Sequence, residues 1–274
     1  MRRLTPVSPD YRVTVAGRGN LGRSLARALR ATLVPAREGF ALPAEGILFL
    51  AVPDRAVAET ASRIAAMRPR RRLAVVHLSG ALGLDALDAL EQNPRGSFHP
   101  LQSFHMPRPP SAFRGVTITI DATTPALRRK LEALARRLGA NPKRIDAAQR
   151  AVYHAAAVFA SNFLDVTVAE AVRMLQTLGW TEKESVDALL PLVDGAVENI
   201  RRQGPIAALT GPIRRGDAET VRRHLAAVDN ADLYRMLGLV ALEIARKAGL
   251  ETAAAERTER ALTRKVAATR RRRS

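Results

Sequence analysis

The 274-residue chain contains no cysteine. Disulfides, thiolate nucleophiles and thiolate metal sites are thereby excluded. The five histidines, at positions 77, 99, 105, 154 and 224, show no paired helical spacing, so no metal is expected. Uninterrupted apolar runs are short: none approaches the roughly 20 residues of a membrane span, and the first residues lack the apolar core of an export signal. The reading is therefore a cytoplasmic protein with no membrane partner. Lysine is also scarce. Of 44 basic residues only Lys130, Lys143, Lys183, Lys247 and Lys265 are Lys, and the rest are Arg.

With 26 acidic residues the net charge is +18, which invites a nucleic-acid reading. The lopsided use of Arg points instead to genome composition, because the residues are spread along predicted helices with local clusters at Arg70–Arg72 and Arg270–Arg273. Charge runs are usually solvated surface. Nucleic acid is not the expected partner, although a basic field still attracts a small anionic substrate or a phosphorylated cofactor. The length allows two domains with sizeable cores. Hydrophobic content of 47% with 26% charged residues is that of a soluble globular chain.

What is present is concentrated near the start. The β-branched run Arg12 to Ala16 breaks into Gly17-Arg18-Gly19-Asn20-Leu21-Gly22 and then into a helical pattern from Ser24. Strand, G-x-G-x-x-G and helix in that order suit a dinucleotide pyrophosphate. Gly17 makes the tight turn, Gly19 allows close backbone approach, and Gly22 allows close helix–strand packing, while the helix N-terminus offers free N–H groups. Further strands are predicted at Ile47 to Val52, Leu73 to Leu78, Gly96 to Phe98 and Val116 to Ile120. Helices are predicted at Arg55 to Met67, Leu84 to Gln92 and Pro125 to Leu138. This alternation predicts parallel pairing in a doubly wound sheet, whose ligands bind beyond the carboxyl ends of the strands.

Strand-like runs stop near Ala147. Ala147 to Leu178 lacks Pro and Gly and reads as one long helix ended by Gly179. Thr181 with Glu184 then forms a capping box, and more helices are predicted at Val186 to Arg202, Ala218 to Val228 and Ala231 to Ala248. The expected organisation is an α/β Rossmann domain over 1–146 and an all-α domain over 147–274, with a frayed last dozen residues.

Polar residues break the pattern in three places. Ser79 follows the strand Leu73 to Leu78, where it can meet a ligand or cap the next turn. His99 follows another strand and is held extended by Pro100, where its imidazole can exchange a proton with a substrate oxygen. On the long helix, His154, Ser161 and Asp165 fall on one stripe, with Asn162 beside it, among Ala, Val and Phe. Such a stripe is either a buried hydrogen-bonded seam or the wall of a cleft. A fourth, weaker signal is the turn Leu209 to Asp217, in which Thr210 and Arg215 could contact an anion.

Together these segments resemble the β-hydroxyacid and 6-phosphogluconate dehydrogenase superfamily, in which a Rossmann domain precedes a helical domain and the site lies between them. Ala51-Val52-Pro53 is similar to that superfamily's segment near the nicotinamide. More closely, His77-Leu78-Ser79-Gly80, Phe98-His99-Pro100-Leu101-Gln102-Ser103-Phe104, Tyr153-His154-Ala155-Ala156 and Leu209-Thr210-Gly211-Pro212 resemble a bacterial family of Rossmann-like proteins with a C-terminal domain of unknown function. Ketopantoate reductase and pyrroline-5-carboxylate reductase are further relatives of this kind. Prephenate and arogenate dehydrogenases carry a His-Pro segment after a strand with a Ser about 20 residues earlier, as His99 and Ser79 are placed here. The hydroxyacid dehydrogenases instead carry a Lys and, four residues on, an Asn. This chain has His154, Val158 and Asn162, which leaves His99 or His154 as proton donor.

The resemblance implies an NAD(P)H-dependent oxidoreductase for a small carbonyl or hydroxy acid, ketopantoate-like 2-oxo acids among them. His99 is the first choice as donor and His154 the second, with Ser79 and Asn162 bonding substrate. Gly17, Arg18, Gly19, Asn20, Leu21, Gly22, Ala51, Val52 and Pro53 are assigned to the cofactor. Arg37 and Glu38 both fall where a ribose-binding residue is expected. Arg37 directly follows the short Leu33-Val34 run and favours NADP(H), with NAD the alternative. Imine or deazaflavin-linked reduction, a non-catalytic nucleotide sensor, and a basic nucleic-acid-binding protein are the other readings. A homodimer formed through the helical domain is also implied.

Overall fold

In a computed structural model of the chain, residues 12–37 and 40–264 are described. The expected fray of the last dozen residues and the Glu38 alternative fall, except for Thr263 and Arg264, outside these residues. Two compact units meet between Phe163 and Leu164.

The first unit is built on one seven-stranded sheet: β1 (Val13–Ala16), β2 (Thr32–Val34), β3 (Gly46–Leu50), β4 (Leu73–His77), β5 (Arg95–Pro100), β6 (Thr117–Ala122) and β7 (Asn141–Arg144). The spatial order is β2-β1-β3-β4-β5-β6-β7. Every pairing is parallel except β5 with β6. That exception departs from the simple parallel expectation. No crossover helix joins β5 to β6; the connection is a proline-rich loop with one 3-10 turn at Pro110–Phe113, so the chain returns antiparallel. The edge strands β2 and β7 were not predicted, since the Asn-Pro-Lys-Arg of β7 has no apolar alternation and gains its strand character from pairing with β6.

Neighbouring residues of a central strand enter opposite layers, as a pleat demands. Val15, Phe49 and Val76 join one cluster with Leu25 and Leu29 of α1 (Asn20–Leu29) and Leu127 and Leu131 of α3 (Pro125–Arg137). Ala16, Leu48, Leu50 and Val75 join another with Val57, Ala61 and Ile64 of α2 (Val57–Ala66). Burial on both faces explains why these strands read as near-continuous apolar runs. The expected helix at Leu84 to Gln92 is a 3-10 segment, Leu84–Leu90. Its Leu87 and Leu90 are both buried, which satisfies the apolar pattern without an α-helix.

The predicted helix over 147–178 is two helices, α4 (Arg150–Ala160) and α5 (Asn162–Gln176), because Ser161 leaves helical geometry at φ −123°, ψ −73°. No Pro or Gly signals this break in the sequence. Averaged over its most apolar stretch, 147–176 has a mean hydropathy of 1.4, and by length and composition it is long and apolar enough to cross a membrane. The polar residues of α4 and α5 interrupt the run, which is why no continuous apolar segment is visible. Only 6% of that stretch is buried.

In the second unit, α6 (Glu182–Ala207) begins at the predicted capping box, with the Thr181 side chain accepting from Glu184 N–H and the Glu184 carboxylate accepting from Thr181 N–H. It kinks at Gly204, φ 77°. The core of this unit comes from α7 (Gly211–Arg215), α8 (Ala218–Ala227), α9 (Ala231–Lys247) and α10 (Thr252–Thr263) through Val221, Leu225, Leu242 and Leu262. Large apolar side chains remain exposed on α5, α6 and α9, among them Val166, Leu192 and Met236.

Candidate active site

The glycine turn lies at the carboxyl end of β1, as the strand–turn–helix pattern requires. Two of its glycines are fixed by the protein itself. Gly17 has φ +124°, and a Cβ there would stand 2.1 Å from the Ala51 carbonyl oxygen. A Cβ on Gly22 would stand 2.1 Å from the Gly17 carbonyl oxygen. Gly19 differs: a Cβ there would meet nothing within 4 Å. Gly19 also caps α1 without any side-chain acceptor for the first-turn N–H groups, and such groups bind anions.

A cleft of about 820 Å³ opens here. Gly17, Arg18, Gly19, Arg37, Ala51, Val52 and Pro53 all line it. Asn20, Leu21 and Gly22 do not. The Asn20 amide donates to the His105 carbonyl at 2.6 Å, Leu21 packs on the core, and Gly22 is buried beneath the turn. Sequence reasoning missed Arg55, Glu59, Thr60 and Arg63, which α2 and the turn before it bring to the same wall. Arg63 donates from Nη2 to the Ala36 carbonyl at 2.9 Å, while its Nε is buried with no partner among the described residues. The cue was available: α2 follows β3, the strand beside β1.

A second cleft, about 520 Å³, gathers His99, His154 and Asn162. All three belong to the first unit, so this cleft is not the expected site between the two domains. Gln102, Ser103, Tyr153 and Ser161 complete its polar lining, and among the described residues no acidic one lines it. The glycine turn belongs to the other cleft. Burial, reinforced by neighbouring His154 and Arg150 and opposed by Asp54, holds the His99 pKa down at about 4, so its imidazole is neutral at pH 7. His99 Nδ1 lies 2.7 Å from the Tyr153 hydroxyl, with the rings edge-on at 5.6 Å between centroids. The ring also lies close to Gly80, where a Cβ would stand 2.8 Å from Cε1. Burial also pushes the Tyr153 pKa up, against the lowering influence of Thr119 and Arg150. His154 Nδ1 is buried and has no partner among the described residues.

Ser79 lines neither cleft. Its hydroxyl donates to Asp54 Oδ2 at 2.7 Å and accepts from the N–H groups of Ala81 and Leu82, both at 3.1 Å. The residue is only 6% exposed, so its visible work is to bind the turn after β4 to the end of β3. His77 beneath it is fully buried, and burial, then Arg150, lowers its pKa to about 4. Arg150, 2% exposed, roots α4 in the sheet. Its Nη2 donates to Ser97 Oγ at 2.6 Å and stands 3.5 Å from Asp121 Oδ2, while Nε and Nη1 have no partner among the described residues. This anchorage accounts for α4 belonging to the first unit. Thr210 and Arg215 line neither cleft; Thr210 is the N-cap of α7. Among the described residues no cluster suited to a metal ion occurs.

A family model described as a domain of unknown function (DUF2520) matches residues 116–241. No curated protein matches the sequence. Among solved structures, a Bacteroides fragilis protein provisionally named an NADP oxidoreductase is 24% identical with a TM-score of 0.69, covering 86% of this chain and 98% of that one. A Thermotoga maritima protein is 22% identical with a TM-score of 0.71, covering 86% and 99%. The pyrroline carboxylate reductase of Plasmodium falciparum, solved with NADP bound, is 11% identical with a TM-score of 0.55, covering 93% and 99%. The fold is thus that of a Rossmann-like sheet unit followed by a helical region.

Proposed function

We propose that the protein is an NADP(H)-dependent oxidoreductase acting on a small anionic carbonyl or hydroxy acid. The observation that carries the reading is Gly19: it is the one glycine of the turn that the protein's own packing does not require, so its open face is left for a pyrophosphate. Arg18, Arg37, Arg55 and Arg63 surround the same cleft and suit a ribose 2′-phosphate, which selects NADP(H) over NAD(H). The Plasmodium falciparum neighbour, solved with NADP, supports the same choice. The bound nicotinamide supplies the hydride chemistry.

The second cleft does the rest. His99 gives a proton to the substrate oxygen, Asn162 and Ser161 orient the substrate by hydrogen bonds, and His154 stands as the alternative donor. A lining free of carboxylates suits an acid of the 2-oxo class. The exposed apolar faces of α5, α6 and α9 are assigned to a second copy of the chain, giving a homodimer; sedimentation of a monomer at micromolar concentration would reject that.

The decisive experiment is NADPH and NADH binding by titration, followed by a screen of NADPH oxidation against 2-oxo acids including ketopantoate, cyclic imines and deazaflavin. The expected result is saturable NADPH binding, weakened by Arg37→Ala, and turnover on a 2-oxo acid. Turnover on imines or deazaflavin alone would replace the substrate class, and absence of nucleotide binding would remove the enzyme reading.

A further inference from the structure

His99, which lines the second cleft, is hydrogen-bonded to Tyr153 of α4. We propose that Tyr153 is a positioning residue that locks His99 in the tautomer carrying its proton on Nε2, and so decides which nitrogen can act as donor. The substance of this claim is independent of the substrate, and its catalytic consequence rests on the function proposed above.

The phenol oxygen is 2.7 Å from His99 Nδ1, and no other group among the described residues bonds to either ring nitrogen. His99 is neutral at pH 7 and so carries a single N–H. A phenol is a much weaker acid than an imidazolium, so the proton between the pair stays on oxygen, and the basic, unprotonated ring nitrogen accepts from it at Nδ1. The ring's own proton is then on Nε2.

Neither partner is free to reorient. Gly80 lies close enough to the imidazole that even a Cβ there would collide with the ring. Tyr153 sits one helical turn after Arg150, whose Nη2 is fixed to Ser97 at the heart of the sheet. Burial raises the phenol's pKa, and Thr119, opposite His99 in the β5–β6 register, offsets part of that rise together with Arg150.

The arrangement also settles how a neutral imidazole can give up a proton. As Nε2–H breaks and the substrate oxygen gains that proton, Nδ1 takes the phenolic proton from Tyr153. The imidazole stays neutral with its tautomer reversed, and the negative charge moves to the phenolate, in the field of Arg150. Solvent later returns the proton to the phenolate. The groups that bear on the equilibrium are His154, Asp54 and Arg150 around His99, and Thr119 and Arg150 around Tyr153.

The test is nitrogen-15 NMR of the full chain labelled at histidine, with H99Q used to assign the His99 resonances. In the wild-type protein at pH 7, Nδ1 is expected in the unprotonated range and Nε2 in the protonated range. In Tyr153→Phe the two shifts draw together as both tautomers become populated. A wild-type Nδ1–H tautomer, or an identical spectrum in Tyr153→Phe, overturns the proposal whether or not a substrate has been found. Where a substrate is in hand, Tyr153→Phe lowers kcat by about 100-fold with KM little changed. An unchanged kcat would confine Tyr153 to a structural contact. Failure of the NADPH screen with the expected tautomer present would instead strike only the proposed function.

Discussion

Replacement of Gly80 by Ala is the sharpest perturbation of the site that leaves every polar group in place. An added methyl would stand 2.8 Å from His99 Cε1, 2.9 Å from Nε2 and 3.0 Å from Nδ1. Ordinary contact needs about 3.5 Å, so the ring must retreat by roughly 0.6 Å. A shift of that size takes the 2.7 Å bond to Tyr153 out of good hydrogen-bond geometry. The bond is worth about 1 kcal/mol net, and crowding a packed site costs about 1–3 kcal/mol more. Together these lower Tm by roughly 5–15 °C. A displacement of this size at a reacting group also lowers kcat by about 10- to 100-fold. Gly195→Ala is the control, because a Cβ there meets nothing within 4 Å and lies in α6; helix propensity makes it neutral or stabilising by up to ~1 kcal/mol. Thermal unfolding and the His99 nitrogen shifts read the two effects separately. If Gly80→Ala melts with the wild type and keeps the wild-type tautomer, Gly80 does not hold the ring and the packing argument fails.

Gly17→Ala and Gly22→Ala should each destabilise the fold by more than about 2 kcal/mol, since backbone would have to move, whereas Gly19→Ala should leave Tm unchanged and weaken NADPH binding at least tenfold; equal melting losses in all three would dissociate Gly19 from the ligand. Acid should weaken the fold in a defined window. The folded pKa of His77 is depressed from 6.5 to about 4, so its stabilisation is complete above pH 6.5 and is lost as pH falls toward 4, amounting to about 3 kcal/mol. Urea unfolding at pH 7.5 and 4.5 measures this, and His77→Gln should remove a large part of the difference. Arg150→Met, which strands Ser97 and Asp121, should cost about 3 kcal/mol and broaden the resonances of α4; a melting point equal to wild type would show that α4 is held by other contacts.

The parts of the fold that were legible are those in which one residue pattern has one physical solution. A β-branched run, G-x-G-x-x-G and an amphipathic helix can close only by placing Gly17 against the next strand, and the structure puts it on Ala51. The Thr181–Glu184 box was equally plain, because both halves of its reciprocal bond lie within four residues. Edge strands β2 and β7 were not legible in this way. They are short and partly exposed, with burial supplied by one neighbour rather than by their own pattern. The break at Ser161 has no local cause in the sequence, and we find no packing contact that accounts for it.

The site divides along the same line. His99, His154 and Asn162 announced themselves as polar residues in apolar surroundings, and they share a cleft. Tyr153 did not, because a half-buried tyrosine on a helix satisfies the apolar pattern with its ring while the hydroxyl reaches out of it. Ser79 announced itself for a different reason. Its position at the carboxyl end of a strand is the one ligands use, but the residue beside it in space is Asp54, just past the end of β3, the parallel neighbour of β4. Strand ends that are adjacent in a parallel sheet bring their following loops together, so a serine after one strand and a carboxylate after the next must be tested against each other before either is offered to a substrate. That test needs only the strand order, which the right-handed crossover rule supplies for β3, α2 and β4. Applied here, it assigns the Ser79 hydroxyl to Asp54, and among the residues lining the second cleft it is His99 whose hydrogen bond crosses from the sheet to α4.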